Sequence, residues 1–330
     1  MKVLFIGGTG NISAACTRRA VAKGLDVTCL NRAQRTTDPI PGVRQCTADI
    51  GDEDAVRTAL GDDTFDCVVN WVAFAPQDVA RDIRLFAPRT RQYIFISSAS
   101  AYQKPPTAPV ITESTPLHNP FWHYAQQKIA CETHLLEHMR RTDFPVTIVR
   151  PSLTYDTLFP IALGGWGCYT LAHRLLTGQE IVVHGDGESL WTVTHAEDFA
   201  RGFVPLIGHP AAKGHSFHIT SDELLTWNNI YDAIAAALGV SARKVHIPSD
   251  FIAAHNPELG AGLIGDKSYS SIFDNSKIRR LVPGFAARIP FHEGVRRTVR
   301  WFAADPARQV VDPQVNRDLD ALIAAYRAPH

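Results

Sequence analysis

Hydrophobic positions along this chain fall in short continuous runs separated by polar and glycine-rich breaks. Residues 2–6 (Lys-Val-Leu-Phe-Ile) run into Gly-Gly-Thr-Gly at 7–10, and from Ala14 to Gly24 the apolar positions recur at helical spacing. The order predicted is strand, glycine turn, helix. A second apolar run covers Asp26 to Leu30, and further runs at 43–50, 66–74 and 92–100 repeat the pattern with helix-like segments between them. Strands buried on both faces of a parallel sheet have this appearance, because crossover helices cover them on either side. No internal repeat or low-complexity segment interrupts the alternation, so a doubly wound α/β sheet is expected rather than a solenoid.

The length of 330 residues exceeds what one core usually grows to, which predicts a second lobe. Hydrophobic residues at 45% and charged residues at 20% exclude a largely disordered chain. With 33 Lys and Arg against 33 Asp and Glu, no net field draws the molecule to nucleic acid or to an anionic membrane, so neither is expected as a partner. The six cysteines are scattered without CxxC or zinc-finger spacing and read as reduced thiols. The opening residues form a strand rather than a basic segment followed by a long apolar one, and no stretch approaches about 18 apolar residues. These features lead to the expectation of a soluble, cytoplasmic protein.

Gly7, Gly8 and Gly10 lie between a predicted strand and a predicted helix that begins near Asn11 and Ile12. Backbone N–H groups and the positive helix end there can hold a pyrophosphate. Gly7 suits the tight turn and Gly10 the approach of the phosphate, while Ser13 stands where a third glycine would let helix and strand pack closely. No Gly-Lys-Ser/Thr follows, so a nucleotide-hydrolysing loop is not indicated. Where a dinucleotide fold often places an acidic residue for the ribose, this chain has Asn31 and Arg32, with Arg35 close by. An arginine there can neutralise a 2′-phosphate, which favours NADP over NAD, or it can stand solvated on its loop. Asp49 and Ile50 follow the third strand and can flank an adenine.

The chemistry is concentrated in residues 97–128. After Tyr-Ile-Phe-Ile comes Ser97-Ser98-Ala99-Ser100-Ala101-Tyr102, and Tyr124-Ala125-Gln126-Gln127-Lys128 opens a helical segment. Tyr124 and Lys128, four apart, share a helix face. An ammonium beside a phenol favours the phenolate, which would turn Tyr124 into a general base, and a serine hydroxyl can hydrogen-bond the reacting oxygen.

The glycine loop, the serine-rich strand end and YxxxK together resemble the extended short-chain dehydrogenases/reductases, the NAD-dependent epimerase/dehydratase type. Further segments in the same order strengthen the likeness: Glu132, Val149-Arg150-Pro151, Gly185-Asp186-Gly187, His195-Ala196-Glu197-Asp198, and Asp274-Asn275-Ser276-Lys277 with Leu281 and Trp301. The resemblance implies a Rossmann-type doubly wound sheet with a smaller C-terminal substrate-binding lobe. Residues 1–151 would bind the dinucleotide, segments near 185–205 would return to that domain, and 152–330 would mainly cover the substrate. It also implies catalytic Ser98, Tyr124 and Lys128, the last also touching the NAD(P) cofactor, and a homodimer built through two helices of the first lobe. Glu132 reads more readily as a solvated carboxylate, and Arg150 and Asp198 can be scaffold as readily as ligand contacts.

Two departures narrow the substrate. The family's sugar-nucleotide enzymes place an arginine for the diphosphate where this chain has Trp191, and a tryptophan stacks on a ring or fills a core instead. Its dehydratases carry Asp-Glu where Ala99 and Ser100 stand, which removes that acid–base pair. The expected substrate is a nucleoside, a sugar lacking a diphosphate or, less favoured, a sugar nucleotide, contacted by Ser100, Trp166 and Trp191 and oxidised at a secondary alcohol of its sugar ring. Epimerisation, dehydration and simple oxidation or reduction remain open. His134-Leu135-Leu136-Glu137-His138 has the spacing of a zinc helix, but that helix packs on the sheet in the family, so no metal is expected. An RNA-associated relative that has lost its chemistry is the rival reading.

Overall fold

The computed structural model describes residues 1–32 and 39–329. Five parallel strands, β1 (Lys2–Ile6), β2 (Asp26–Asn31), β3 (Val43–Thr47), β4 (Cys67–Asn70) and β5 (Tyr93–Ile96), are joined by Val146–Arg150 and Ser216–His218 into one sheet. From edge to edge its order is Ser216–His218, Val146–Arg150, β5, β4, β1, β2, β3. Helices α1 (Ser13–Ala22), α2 (Glu53–Leu60), α3 (Pro76–Phe86) and α4 (His123–Thr142) make up much of its covering layers. One core cluster holds Val3, Phe5 and Val69, the other Leu4, Ile6 and Val68, so alternate residues of the same strands face different layers. This explains why the strands read as unbroken apolar runs. The sheet is the Rossmann-type arrangement.

Strand order reverses between β1 and β4, and a crevice at such a switch point is where open α/β sheets bind ligands. Glycine is required at its floor. Gly7 has φ +82°, and a Cβ there would lie 2.6 Å from Cγ1 of Val72; one on Gly8 would lie 2.4 Å from Sγ of Cys29.

A second core surrounds Tyr155, Trp191, Trp227, Phe291 and Phe302. Beside it the strand Glu180–His184 pairs in parallel with Arg243–Ile247. Parts of the chain beyond residue 151 pack back onto the first lobe, both within 185–205 and after it. Trp191 belongs to the second core. The returning parts are the helix Ala196–Phe203, the edge strand Ser216–His218 and residues around Ile278 and Phe285. Their aromatic side chains decide this: the Phe203 ring lies 5.0 Å from that of Trp71 and 6.5 Å from that of Phe5, under the sheet.

Two buried carboxylates, Glu132 and Asp198, hold the frame. Glu132 is fully buried rather than solvated, and both its oxygens take N–H donors from Arg150, at 2.8 and 2.5 Å. Ser97 donates to the same carboxylate at 2.5 Å. Asp198 accepts the backbone N–H groups of Arg288 and Ile289 at 2.9 and 2.8 Å. His134, Glu137 and His138 lie on α4, with the His138 ring edge-on to Phe144. Among the described residues, no group of three or more His, Cys, Asp or Glu side chains is arranged to hold a metal ion, and no helix is long and apolar enough to cross a membrane.

Candidate active site

The loop after β1 is closed by Ser13, whose hydroxyl donates to the carbonyl of Gly7 and accepts the Gly10 N–H, both at 2.7 Å. The serine at the third glycine position is thus a brace. Asn11 ties the loop to the second lobe: its Nδ2 donates to the Thr154 carbonyl at 2.9 Å and its Oδ1 accepts the Asp156 N–H at 3.0 Å. The N–H groups of Asn11 and Ile12, at the start of α1, have no acceptor among the described residues. Free donors at a helix N-terminus, above a glycine floor that leaves no room for a Cβ, fit a dinucleotide pyrophosphate. At the ends of β2 and β3, Arg32 and Asp49 are exposed and 4.0 Å apart, a separation that leaves the guanidinium open to another anion. Among the described residues the Asn31 side chain donates to Gln45 at 3.4 Å, and Ile50 packs against the core. Arg35 lies outside the described residues.

Ser98 follows β5 and caps a short turn, accepting the Ser100 N–H at 3.2 Å and the Ser100 hydroxyl at 2.8 Å. Both donations leave its own proton to be given away. Lys128, almost wholly buried, donates to the carbonyls of Ala73, past the end of β4, at 2.7 Å and of Ile96, the last residue of β5, at 2.9 Å. A third N–H remains for a cofactor hydroxyl. Burial pushes the ammonium down to about 8.

Burial opposes the ready ionisation expected of Tyr124. Burial pushes the phenol up to about 12; a hydrogen bond with Ser98 counters this, and the carboxylate of Asp266 adds to it. The Lys128 ammonium lies 5.8 Å from the ring centroid and is engaged with carbonyls. Burial thus favours the neutral phenol at neutral pH.

One cavity of about 580 Å³ brings most of these groups together: Gly7, Gly10, Asn11 and Ile12, then Ser98, Ser100, Tyr124 and Lys128, and finally Trp166 and Trp191. Asn31, Arg32, Asp49 and Ile50 lie outside it, at the strand ends where an adenosine would rest. Trp166 is 53% exposed, in a turn where Gly164, Gly165 and Gly167 all have positive φ. Trp191 does not stand free to stack from both faces: it is 2% exposed and packs on Trp227 with ring centroids 5.2 Å apart, presenting part of its surface to the cavity.

Sequence spacing did not single out Phe74, Trp122, Asp266, Lys267 or Ser271, which line the same space. It also missed Asn119, whose Nδ2 donates to the carbonyls of Ser100 at 2.9 Å and Gly265 at 2.6 Å, joining the Ser98–Ser100 turn to the one that carries Asp266. No periodicity or motif points to them, since each acts through contacts with residues far along the chain.

The chain is 26% identical over 290 residues to the 2′-dehydrokanamycin reductase of Streptomyces kanamyceticus, covering 87% of this chain and 81% of that protein. It is 26% identical over 270 residues to the chloroplast stem-loop binding protein of 41 kDa b from Arabidopsis thaliana, covering 78% of this chain and 66% of that one. Among solved structures, an epimerase from the methanogen Methanothermobacter thermautotrophicus superposes with a TM-score of 0.77 at 17% identity, covering 96% of this chain and 94% of the other, a likeness of fold. The model of one family, described as the NAD dependent epimerase/dehydratase family, matches residues 3–220, well over half of the length. The chain belongs to that family.

Proposed function

We propose that the protein interconverts a secondary alcohol and a ketone on a sugar ring, with ketone reduction the favoured direction, on a substrate that carries no nucleoside diphosphate. The observation that carries this reading is the convergence of Ser98, Tyr124, Lys128 and the glycine loop on one cavity, where the positions of the dehydratase acid–base pair are Ala99 and Ser100. Bound in the crevice, NAD(P) would supply or accept the hydride. Tyr124, held as a neutral phenol, gives its proton to the oxygen on which negative charge develops. Ser98, whose oxygen already accepts two donors from Ser100, directs its remaining proton to the same oxygen. Lys128, braced by two carbonyls, offers its third proton to the cofactor ribose. Trp191 in place of an arginine gives no fork for a diphosphate. The relative named as a reductase of dehydrokanamycin supports a sugar ketone as substrate. Arg32, exposed at the end of β2 where dinucleotide folds often place an acidic residue and held only loosely by Asp49 at 4.0 Å, supports NADP.

The test is to incubate the protein with NADPH or NADP and a panel of keto sugars, sugars and nucleosides, followed by mass spectrometry. A gain or loss of two hydrogens is expected. Loss of water would assign a dehydratase, and an isomer of unchanged mass an epimerase; either would overturn net redox. The name of the stem-loop binding relative favours a second reading, RNA association. The retention of Ser98, Tyr124 and Lys128 around one cavity and the balance of 33 basic against 33 acidic residues weigh against it.

A further inference from the structure

Behind the tryptophans of the cavity lies an ion group that the redox chemistry leaves unused. Lys104 is 1% exposed; its Nζ donates to the Ser271 hydroxyl at 3.2 Å and sits 3.5 Å from one oxygen of Asp266. Lys267 approaches the other oxygen at 3.8 Å, with its ammonium 4.9 Å from the centre of the Trp122 ring. Two ammonium groups therefore share one carboxylate in a nearly enclosed space, leaving one positive charge uncompensated. Such a charge is costly to bury without a partner. Burial and the neighbouring Lys104 push the Lys267 ammonium down, while Asp266 holds it up, so an arriving anion would relieve it.

The site is built rather than incidental. The backbone carbonyl of Lys267 accepts three hydrogen bonds, from His184 Nε2 at 3.0 Å, Ser189 Oγ at 3.2 Å and Trp227 Nε1 at 3.2 Å, which fix the base of its side chain. The indole N–H of Trp191, on the same cavity wall, is buried without an acceptor among the described residues. The wall thus presents donors in excess of acceptors.

We infer that Lys267, with Lys104, Asp266 and the Trp191 N–H, forms a subsite for a single anionic substituent of the substrate, a carboxylate or a phosphate. The inference rests on the reading of this cavity as the place where NAD(P) and a sugar meet. One uncompensated positive charge matches one negative group, and Trp122 beside Lys267 provides a flat surface for the ring that carries it.

The experiment is calorimetric titration of the NAD(P)-loaded protein with glucose, glucuronate, glucose 1-phosphate, UDP and glucosamine. Glucuronate or glucose 1-phosphate should bind at least about tenfold more tightly than glucose, and whichever prevails identifies the anion. Lys267→Met should remove that advantage and Lys267→Arg should keep most of it, with nicotinamide fluorescence showing the cofactor still bound in both. Equal affinity for charged and uncharged sugars, or an advantage that survives Lys267→Met, would overturn the subsite. So would a preference for glucosamine, which would assign Asp266 to an ammonium, or for UDP over both acids. Failure of the unaltered protein to bind NAD(P) at all would overturn the oxidoreductase reading and this inference with it.

Discussion

On the wall of the cavity that contains the glycine loop, each functional group sits beside the strand end that aims it. Gly7 follows β1, Ser98 follows β5, and Tyr124 and Lys128 occupy the first turns of α4. Their partners are mainly backbone atoms or near neighbours in sequence, such as the carbonyls that hold Lys128 and the Ser100 hydroxyl against Ser98. The other wall is assembled from Trp122, Trp191, Asp266, Lys267 and Ser271, drawn from separate stretches and backed by the buried Lys104, with side-chain pairs across more than 100 residues, as between Lys104 and Ser271. The first wall is suited to hold one cofactor rigidly. The second can be rewritten residue by residue without disturbing the sheet, and it is where substrate choice resides in this account.

The sharpest division between the two walls is expected from Tyr124→Phe. Removing the phenolic proton donor should cut turnover by about 10²- to 10⁴-fold, with NAD(P) affinity retained, as read by nicotinamide absorbance and fluorescence. Unchanged turnover would place the chemistry elsewhere. Glu132→Ala probes the frame under the first wall: it strands Arg150 in the core and should cost about 3–5 kcal/mol in urea unfolding. Next in size is Gly7→Ala, which forces a side chain into a backbone of φ +82° against Val72. It should cost about 1–3 kcal/mol and weaken NAD(P) binding, whereas Gly167→Ala, in the Trp166 turn, should leave cofactor affinity intact.

A pH dependence separates the walls further. Lys128 is charged below about 8 in the folded protein and below about 10.5 when exposed, so its buried charge opposes folding fully below 8. That penalty fades as pH rises from about 8 toward 10.5. Cofactor affinity should instead fall as pH rises through about 8, because the ammonium donor is lost, and Lys128→Met should flatten the profile. The smallest effect is expected from Arg32→Ala: a loss of about 1 kcal/mol in NADP affinity with little change for NAD, measured by fluorescence titration.

The difference between the walls also marks what could be read along the chain. β1 and its glycine loop are local: an apolar run, a turn that only glycine can make, a helix. The spacing of Tyr124 and Lys128 is local too, and these residues do line one cavity. What spacing could not convey is environment. The ammonium four residues from Tyr124 turns to two carbonyls, and burial keeps the phenol protonated. Glu132 carries no sign in the sequence that Arg150 will cover it. Trp191 was legible as a departure from the family, but its burial on Trp227 depends on the second core. Lys104, Asp266 and Lys267 acquire meaning only when the turn at 263–267 folds against residues 104–122.

The central claim is that the first wall performs redox chemistry on a sugar carbon, and isotope transfer tests it most directly. The protein is supplied with NADPH bearing deuterium at the transferable position and with the panel of keto sugars, and the products are examined by mass spectrometry. The account predicts one deuterium on the new carbinol carbon, and none when Tyr124→Phe replaces the unaltered protein under the same conditions. Products free of deuterium, or no turnover with any substrate alongside salt-sensitive binding of an RNA stem-loop, would contradict it.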